Sequence, residues 1–525
     1  MRKKSAPVIY LSLEIALDSR LKTYAGGLGV LAGDILKSAA SRQFPMVGIS
    51  LLNRHGYFRQ SIDSSGRQII NEDFSDPTAG LEKLDKKISV VIGNRDVKIG
   101  IWRTIIYGRD GFTVPVYLLD TNLEENIEED RHLTNDLYGA GEIYRLKQEI
   151  ILGRGGLLAA RELGYKDFWK IHINEAHGAL AAVELYNREE GNDTEQKIKA
   201  IKKKLVFTTH TPLFLNQDAF TEEIIKRYQP DFPKEILGRL VDDGKLSLMS
   251  LAVFLSGKIN AVSKIHQRVF QTIFPARRIE AITNGVNSIF WTSPEFQELY
   301  DNYCPGWRKT PELLKKAKRL SGQEVWSAHQ KAKRRLLNFV KNQTGEVLDE
   351  DILTIGFARR FTAYKRPLFL FSDLEKLCSL SRQERGLQII YAGKAHPSDK
   401  VGQDLIFKLH QLKKELSADI KIIFLANYDL EIARLMTGGE IEMLFRKLPP
   451  EISKRHAEQD DFRVEELVSM VPNISADNIE VFSAALRGVF LSILYKREVG
   501  EAVFDDALRI MVRGVVIQMF KGEQI

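Results

Sequence analysis

Residues 8–40 read VIYLSLEIALDSRLKTYAGGLGVLAGDILKSAA, which joins an apolar run, a glycine-rich turn and an amphipathic stretch. The apolar run from Val8 to Leu13 is typical of a strand that is buried on both faces. The stretch from Leu28 to Ser41 has the apolar spacing of a helix. The segment therefore predicts a strand that leads through a tight turn into a helix, the repeating unit of α/β folds.

The same alternation of short apolar runs and longer amphipathic stretches continues to about residue 425. A strand, then a helix, then a strand favours parallel pairing with right-handed crossovers. The further predicted strands are 46–52, 88–92, 114–119, 171–174, 205–208, 259–262, 353–357, 387–392 and 420–425. The further predicted helices are 144–163, 179–189, 367–377 and 403–416.

Composition excludes several classes of protein. Of the 525 residues, 44% are hydrophobic and 28% charged, which is unlike a disordered or collagen-like chain. The net charge of +7 is small for this length and the basic runs lack interleaved aromatic residues, so no nucleic-acid partner is expected. No apolar run is long enough for a membrane helix, so no membrane partner is expected. Two distant cysteines, Cys304 and Cys378, cannot form a disulfide framework, which favours a cytoplasmic location.

A charged stretch of helical pattern, residues 305–350, separates the predicted strands into an earlier and a later set. The chain is also longer than one ordinary hydrophobic core accommodates. We therefore predict two α/β domains, residues 1–300 and 301–525. A cleft between two such domains is the usual place for a substrate site.

The glycines Gly26, Gly27 and Gly29 crowd the turn between the first strand and the first helix. Such a turn exposes backbone N–H groups at a helix N-terminus, where an anion or a polar ligand can bind. The same glycines are equally expected in a tight turn that only allows close packing. The spacing alone leaves both interpretations open.

Polar residues follow other predicted strands, at the sheet edge where α/β proteins bind ligands. His177 and His210 each come just after a strand, but no third ligand at a useful spacing indicates a metal site. Asn284 belongs to an Asn-Gly pair that predicts a turn. Its side-chain amide suits the hydroxyl groups of a sugar.

Four cations follow the predicted strand 353–357, namely Arg359, Arg360, Lys365 and Arg366. Arginine forks and lysine charges at the start of a helix together make a phosphate cradle. A solvated surface run is the alternative, and the adjoining Phe357 and Phe361 argue against it. Lys394 follows the next strand and would add positive charge to the same pocket. These residues predict a cleft in which a sugar faces a phosphate.

Nine distinctive motifs follow one another along the chain. From the N-terminal side they are YLSLEIALDSRLKTYAGGLGVLAGDILKSAA, LLNRHGYFRQ, LYGAGEIYRLKQE, INEAHGAL, FTTHTP, ITNGV, GFARRFTAYKRP, YAGKAHP and FLANYD. Over residues 10–428, this series resembles the compact bacterial type of the α-glucan (glycogen or maltodextrin) phosphorylase family. The resemblance implies the GT-B arrangement of glycosyltransferases, in which two Rossmann-like domains face each other across a cleft. It implies the phosphorolysis of glycogen or maltodextrin by orthophosphate to glucose 1-phosphate.

The resemblance also implies a pyridoxal 5'-phosphate cofactor, held as a Schiff base on a lysine, whose phosphate group assists proton transfer. The implied site residues are Arg360, Lys365 and His177 for catalysis, Gly26, Gly27, Gly29, Asp34 and Asn284 for substrate binding, and Tyr428 and Lys394 for cofactor binding. The implied partners are an α-glucan and orthophosphate, and a homodimer is left open.

The sequence departs from the family motifs at several positions. Gln217-Asp218 stands in place of a His-Asp pair, Asn287 where histidine is common, and Thr362 where animal relatives have histidine. The glycine-rich segment that carries the Schiff-base lysine is not found: residues 440–479 contain no glycine, and a faint similarity puts Ser483 at the lysine position. We therefore expect an atypical or shortened second domain with a divergent tail from about residue 440, which holds the cofactor poorly.

Two alternatives follow from the missing lysine segment and from the shared architecture. One is a catalytically inactive homologue that binds glucan without turnover. The other is a sugar-nucleotide glycosyltransferase, which the motifs YAGKAHP and AYKRP favour less than a phosphorylase.

Overall fold

Runs rich in Val, Ile and Leu form the strands, because these side chains fill both faces of a covered sheet. The computed structural model describes residues 6–437 apart from Ser19, Ser75, 77–79, 139–140, 212–217, Glu384 and 417–419. The strands are β1 (Val8–Ser12), β2 (Met46–Leu51), β3 (Arg59–Ile62), β4 (Gln68–Asn71), β5 (Glu82–Ile92), β6 (Arg95–Tyr107), β7 (Thr113–Asp120), β8 (Lys170–Asn174), β9 (Leu205–Thr209), β10 (Ala219–Thr221), β11 (Val241–Asp242), β12 (Lys245–Ser247), β13 (Lys258–Ala261), β14 (Ile279–Ala281), β15 (Thr354–Ala358), β16 (Leu387–Ala392) and β17 (Ile420–Leu425).

The amphipathic stretches between the strands form helices that cover the sheets. They are α1 (Gly27–Ser41), α2 (Glu128–Arg131), α3 (Glu142–Ile150), α4 (Gly156–Glu162), α5 (Ala181–Arg188), α6 (Thr194–Lys204), α7 (Glu222–Tyr228), α8 (Lys234–Leu240), α9 (Leu248–Leu255), α10 (Lys264–Ile273), α11 (Ser288–Trp291), α12 (Pro294–Tyr303), α13 (Gly322–Thr344), α14 (Leu374–Gln383), α15 (Lys400–Glu415) and α16 (Leu430–Thr437). A π-helical turn, Ile151–Gly155, joins α3 to α4 within the predicted helix 144–163.

The larger sheet contains nine strands of the described residues, in the order β14-β13-β9-β8-β1-β2-β7-β6-β5. Neighbours from β14 to β7 are parallel, as the strand–helix alternation predicts. At one edge, β7, β6 and β5 pair antiparallel. This edge differs from the expected parallel pairing because β5 and β6 are joined by a tight turn, and a hairpin needs no crossover helix.

A second sheet holds three parallel strands in the order β15-β16-β17. Its core contains the fully buried Phe361 with Tyr391 and Phe424. The α/β class is therefore confirmed. Both sheets belong to one unit that spans residues 1–439, and the boundary near residue 300 stays a prediction. The expectation of a divergent tail from about residue 440 concerns residues outside the described range.

The predicted helix 367–377 is wrong in its position. A 3-10 turn at Phe369–Phe371 comes first, and α14 begins only at Leu374. Arg366 adopts a left-handed backbone with φ of 48°, which prevents a regular helix from starting there. The Asp373 carboxylate accepts a hydrogen bond from the Lys376 N–H at 3.0 Å and so caps the helix at its observed start.

Among the described residues, no helix is both long and apolar enough to cross a membrane.

We expect Gly33→Ala to lower the free energy of unfolding by about 1–3 kcal/mol, because it overpacks the contact between α1 and the chain after β1. A Cβ at Gly33 would lie 2.0 Å from the Ala16 carbonyl oxygen. Gly238→Ala in α8 is the matched control, since a Cβ there meets no atom within 4 Å. That control should be neutral or stabilising by up to about 1 kcal/mol. Thermal and urea unfolding of both variants would measure this, and equal stability of the two would contradict the packing argument.

Candidate functional site

A cavity of about 680 Å³ lies where the ends of strands from both sheets meet. One wall consists of the turn before α1, the first half of α1 and the turn after β14. The opposite wall consists of the loops that follow β15, β16 and β17. Because all three of these strands are parallel, their carboxyl ends place their loops side by side at one edge.

Most of the residues predicted for the site line this cavity. They are Gly26, Gly27, Asp34, Asn284, Arg360, Lys365, Lys394 and Tyr428. Gly29 and His177 do not line it. The structure therefore brings together the predicted sugar-side and phosphate-side residues, of which Gly26 and Tyr428 are 402 positions apart in the sequence.

The glycine turn serves two different purposes. Gly27 faces open space, since a Cβ at this residue would meet nothing within 4 Å. A Cβ at Gly26 would lie 3.0 Å from the Arg360 guanidinium, so the glycine leaves room for that group. At Gly29, in contrast, a Cβ would lie 2.5 Å from the Cβ of Tyr24. The packing interpretation is thus confirmed for Gly29, and a ligand at the open side of Gly27 stays a prediction.

The Glu14 carboxylate holds this turn from behind. Its Oε2 accepts hydrogen bonds from the N–H groups of Ala25 at 2.8 Å and Gly26 at 3.2 Å. Its Oε1 accepts one from the Tyr138 hydroxyl. Glu14 is itself buried, so these charge-assisted bonds fix the turn from the protein side and leave its other face to the cavity.

The cation-bearing loop after β15 is anchored by its aromatic residues. Phe361 is completely buried, and its N–H donates to the Lys394 carbonyl at 3.0 Å. The Arg359 N–H donates to the Ala392 carbonyl at 3.2 Å, so the two loops continue the pairing of β15 with β16. The anchored loop turns Arg359, Arg360 and Lys365 to the cavity. The fourth predicted cation, Arg366, lies instead against the Phe369 ring at 5.9 Å.

Lys394 is a partly buried cation of the cavity wall. Its ammonium donates to the Phe58 carbonyl at 2.7 Å and stands 5.1 Å from the centre of the Phe58 ring. Burial lowers the pKa of Lys394 to about 8, although nearby Asp73 favours its charged form.

Sequence reasoning missed two charged residues of the cavity, Lys22 and Asp73, which form an ion pair at 3.2 Å. Lys22 lies four residues before Gly26 and could have been noticed as a cation beside the glycine turn. The sequence around Asp73 gives no indication of a site. Asp73 follows β4, and only the tertiary structure brings it to the cavity. Asp429 also lines the cavity, inside a motif that had been noted for Tyr428.

Asp34 ties the two parts of the first wall together. Its Oδ2 accepts a hydrogen bond from the Trp291 indole N–H at 2.7 Å, and burial raises the pKa of this carboxyl. Asn287 donates to the Ser38 hydroxyl at 3.1 Å and also caps α11 through the Phe290 N–H at 2.8 Å. Asn287, one of the departures from the family motif, thus connects the turn that carries Asn284 to α1.

His177 lies behind the glycine turn, in a buried polar cluster. Its Nε2 is 3.7 Å from an Asp218 oxygen, and its ring is 6.1 Å from that of Tyr138 in an edge-on arrangement. Burial, together with nearby Arg145, lowers the pKa of His177 to about 3, so the imidazole is neutral. Arg145 pairs with Glu149 and with Asp218, at 2.9 Å each. The catalytic role that the resemblance implies for His177 stays a prediction.

The second predicted histidine, His210, is likewise enclosed. Its backbone N–H donates to Glu175 at 2.8 Å and its Nε2 contacts the Asn174 side-chain oxygen at 2.8 Å. Burial raises the pKa of Glu175 to about 7. Within the part of the chain that the structure describes, no group of His, Cys, Asp and Glu residues is arranged to hold a metal ion. Pro212 of the FTTHTP motif, Gln217, Ser483 and the region searched for the cofactor lysine lie outside the described residues.

Residues 215–441 match the family model of carbohydrate phosphorylases. The chain is 36% identical to a maltodextrin phosphorylase of Thermococcus litoralis, over 83% of this chain and 57% of that protein. It is 32% identical to a glycogen phosphorylase of Aquifex aeolicus, over 85% of this chain and 70% of that protein.

A glycogen phosphorylase of Mycobacterium tuberculosis is 30% identical, over 82% of this chain and 56% of that protein. The chain thus spans between 56% and 70% of the length of these relatives. The match to the first of these relatives extends over most of the sequence, and the family model covers the loops after β15, β16 and β17. The chain belongs to the carbohydrate phosphorylase family.

Proposed function

We propose that this chain binds an α-1,4-glucan and orthophosphate in the described cavity and transfers the terminal glucosyl unit to phosphate, which releases glucose 1-phosphate. The observation that carries the proposal is the convergence of Arg360, Lys365 and Lys394 on one wall, opposite the glycine turn and Asn284. Relatives named glycogen phosphorylase and maltodextrin phosphorylase support the same activity and suggest these polymers as substrates.

The two sheets further support a GT-B arrangement. In this proposal the sheet of β1 and its neighbours is the core of a glucan-binding Rossmann-like domain, and the sheet β15-β16-β17 is the core of a phosphate-binding one. The cavity at the strand ends is then the catalytic cleft. The cytoplasmic location stays a prediction from the sequence, and the formation of a homodimer stays open.

The charges of the cavity suit a phosphate dianion. Among the described lining residues there are five cations and three carboxylates; the cations are Lys22, Arg359, Arg360, Lys365 and Lys394, and the carboxylates are Asp34, Asp73 and Asp429. The excess of positive charge attracts orthophosphate, and the guanidinium fork of Arg360 suits two of its oxygens. Beside a glucosyl carbon that becomes oxocarbenium-like, the bound anion would stabilise developing positive charge while the cations hold it in place.

Water must be kept from the same glucosyl carbon, because hydrolysis would compete with phosphorolysis. The aromatic and apolar side chains of the walls, including Tyr57, Phe58 and Trp291, restrict the space around the cations. Asn284 and the open face of Gly27 leave polar contacts for sugar hydroxyls at the opposite wall. This division of the cavity orients the sugar toward the phosphate.

Family membership implies pyridoxal phosphate in general, and the described residues fit its phosphate and its ring. The cavity combines cations with aromatic side chains, of which Tyr428 and Lys394 would hold the group. When bound, pyridoxal phosphate would supply a phosphate group that exchanges a proton with the substrate phosphate. The segment in which the family carries its Schiff-base lysine corresponds to residues outside the described range.

Arg360→Gln and Lys365→Gln should each lower kcat/KM for phosphate by about 10²–10³, because each removes a charge that stabilises the transferred phosphate. The measurement is glucose 1-phosphate release from maltodextrin at varied phosphate concentration. Arg366→Gln is the matched control from the same loop, since its side chain lies against Phe369 and not in the cavity. Unchanged phosphate kinetics in Arg360→Gln would contradict the proposed phosphate site.

After incubation with pyridoxal phosphate and removal of the unbound cofactor, the absorbance spectrum of the purified protein should retain a pyridoxal band, and the protein should release glucose 1-phosphate from maltodextrin. Calorimetric binding of maltodextrin without the band and without turnover would instead indicate the inactive glucan-binding homologue. Transfer from a sugar nucleotide but not from glucose 1-phosphate would indicate the glycosyltransferase alternative.

Phosphate affinity should fall as the pH rises through about 8, because the Lys394 ammonium loses its proton there and the cavity loses one positive charge. Below that pH, the charged form attracts the phosphate dianion. Calorimetric titration of orthophosphate from about pH 7 to about pH 9.5 would measure the change. Lys394→Met should bind phosphate more weakly and lack this fall; a fall of the same size in Lys394→Met would assign it to another group.

A further inference from the structure

The motif LLNRHGYFRQ leads into a two-stranded hairpin, β3–β4, that pairs with neither main sheet. Although β3 and β4 come between two strands of the larger sheet in sequence, the hairpin packs on the side of the β15-β16-β17 sheet. Ile62 joins the hydrophobic core of that sheet. The Arg67 guanidinium lies 4.2 Å from the centre of the Phe407 ring, and the Ser65 carbonyl accepts a hydrogen bond from Gln411 at 3.1 Å, both on α15.

Gln60 of this hairpin contacts two loops of the cavity wall, the loop after β16 and the loop after β17. Its side chain is 3% exposed, and its Nε2 donates to the Gly393 carbonyl at 3.0 Å and to the Gln68 side-chain oxygen at 2.8 Å. Its Oε1 accepts from the Asn427 N–H at 2.9 Å, while its own N–H donates to the Asn427 side-chain oxygen at 3.3 Å. One neutral amide therefore connects the loops after β16 and β17.

Both loops need such support because their backbones are unusual. Asn427 has a φ of 60° and Gly393 a φ of 154°, conformations that are disfavoured for most residues. Gln68 holds Ala395, two residues beyond Gly393 in the first loop, since it accepts from the Ala395 N–H at 3.0 Å and donates to the Ala395 carbonyl at 2.9 Å. The hairpin thus holds the loop on both sides of Lys394.

The two residues that follow these contacts in sequence are cavity residues. Lys394 comes directly after Gly393, and Tyr428 directly after Asn427. The Lys394 ammonium also donates to the Phe58 carbonyl, which belongs to the segment that enters the hairpin. Only a side chain with both a donor and an acceptor can make the contacts of Gln60, because a carboxylate cannot donate to Gly393 and an aliphatic chain can do neither.

We propose that Gln60 is a positioning residue of the cavity, whose amide sets the place of Lys394 and Tyr428 by holding the loops that carry them. It touches neither sugar nor phosphate and acts through the backbone of Gly393 and Asn427. The effect of Gln60 on phosphate kinetics rests on the proposed function, whereas its effect on Lys394 does not.

The first experiment measures Lys394 itself. The full chain is treated with trinitrobenzenesulfonate at a series of pH values, and the labelling rate at Lys394 is followed by peptide mass spectrometry. Wild-type Lys394, which faces Asp73, Lys22 and Asp429, should show a midpoint near 8. Gln60→Met keeps the length of the side chain but not its hydrogen bonds. It should move the midpoint up by about one pH unit or more, because the released loop exposes the ammonium to water.

Gln411→Leu is the matched control, since it removes another contact of the same hairpin at a site that does not line the cavity. It should leave the Lys394 profile unchanged.

Gln68→Met is the second variant, and it should shift the profile in the same direction as Gln60→Met by freeing Ala395. Circular dichroism identifies any variant that fails to fold; if Gln60→Met does not fold, Gln68→Met decides. A folded Gln60→Met or Gln68→Met with the wild-type profile would overturn the proposal.

The second experiment separates positioning from general stability. In glucose 1-phosphate release, Gln60→Met should raise KM for phosphate by about tenfold or more and leave KM for maltodextrin unchanged. An equal loss for both substrates would overturn the positioning role. If the wild-type protein shows no turnover, the proposed function fails, and the labelling experiment still decides the role of Gln60.

Discussion

Mutual repulsion of positive charges is the constraint that the structure around the cavity has to offset. Among the described residues, five cations line a space of about 680 Å³. Asp73 pairs with Lys22 and also favours the charge of Lys394, and Asp34 and Asp429 add negative charge to the walls. Burial of Lys394 lowers its pKa to about 8, because the charged ammonium loses part of its hydration in the cavity wall. Keeping Lys394 protonated there is therefore unfavourable. An anionic ligand would offset the cost of this desolvation, which supports the proposed phosphate site.

Holding cations close together also requires rigid backbone beneath them. Phe361 is buried in the core of the smaller sheet and anchors the loop that bears Arg360 and Lys365. On the other wall, the Glu14 carboxylate fixes the glycine turn, and Gly26 gives the Arg360 guanidinium room. The two walls therefore depend on each other, because a side chain at Gly26 would displace the guanidinium that faces it.

Departures from the family motifs have visible structural roles where the structure describes them. Asn287, where histidine is common in the family, caps α11 and hydrogen-bonds Ser38 of α1. Asp218, the described member of the Gln217-Asp218 pair, accepts from partly buried Arg145 and lies near His177. Thr362 does not line the cavity, and its carbonyl accepts from the Lys365 N–H at 3.1 Å. These substitutions leave the cation-lined wall intact.

The sequence by itself determined the α/β class, the ten predicted strands and four of the five cations that line the cavity, because burial on both faces and charge at a strand end each leave a local pattern. It did not show the antiparallel edge of β5 and β6 or the late start of α14, which depend on a hairpin turn and on one left-handed residue. Only the tertiary structure decided that Gly29 packs while Gly27 faces the cavity, that His177 lies behind the turn, and that Asp73 and Gln60 reach the site. Those outcomes rest on contacts between residues distant in the chain, and no local periodicity records such contacts.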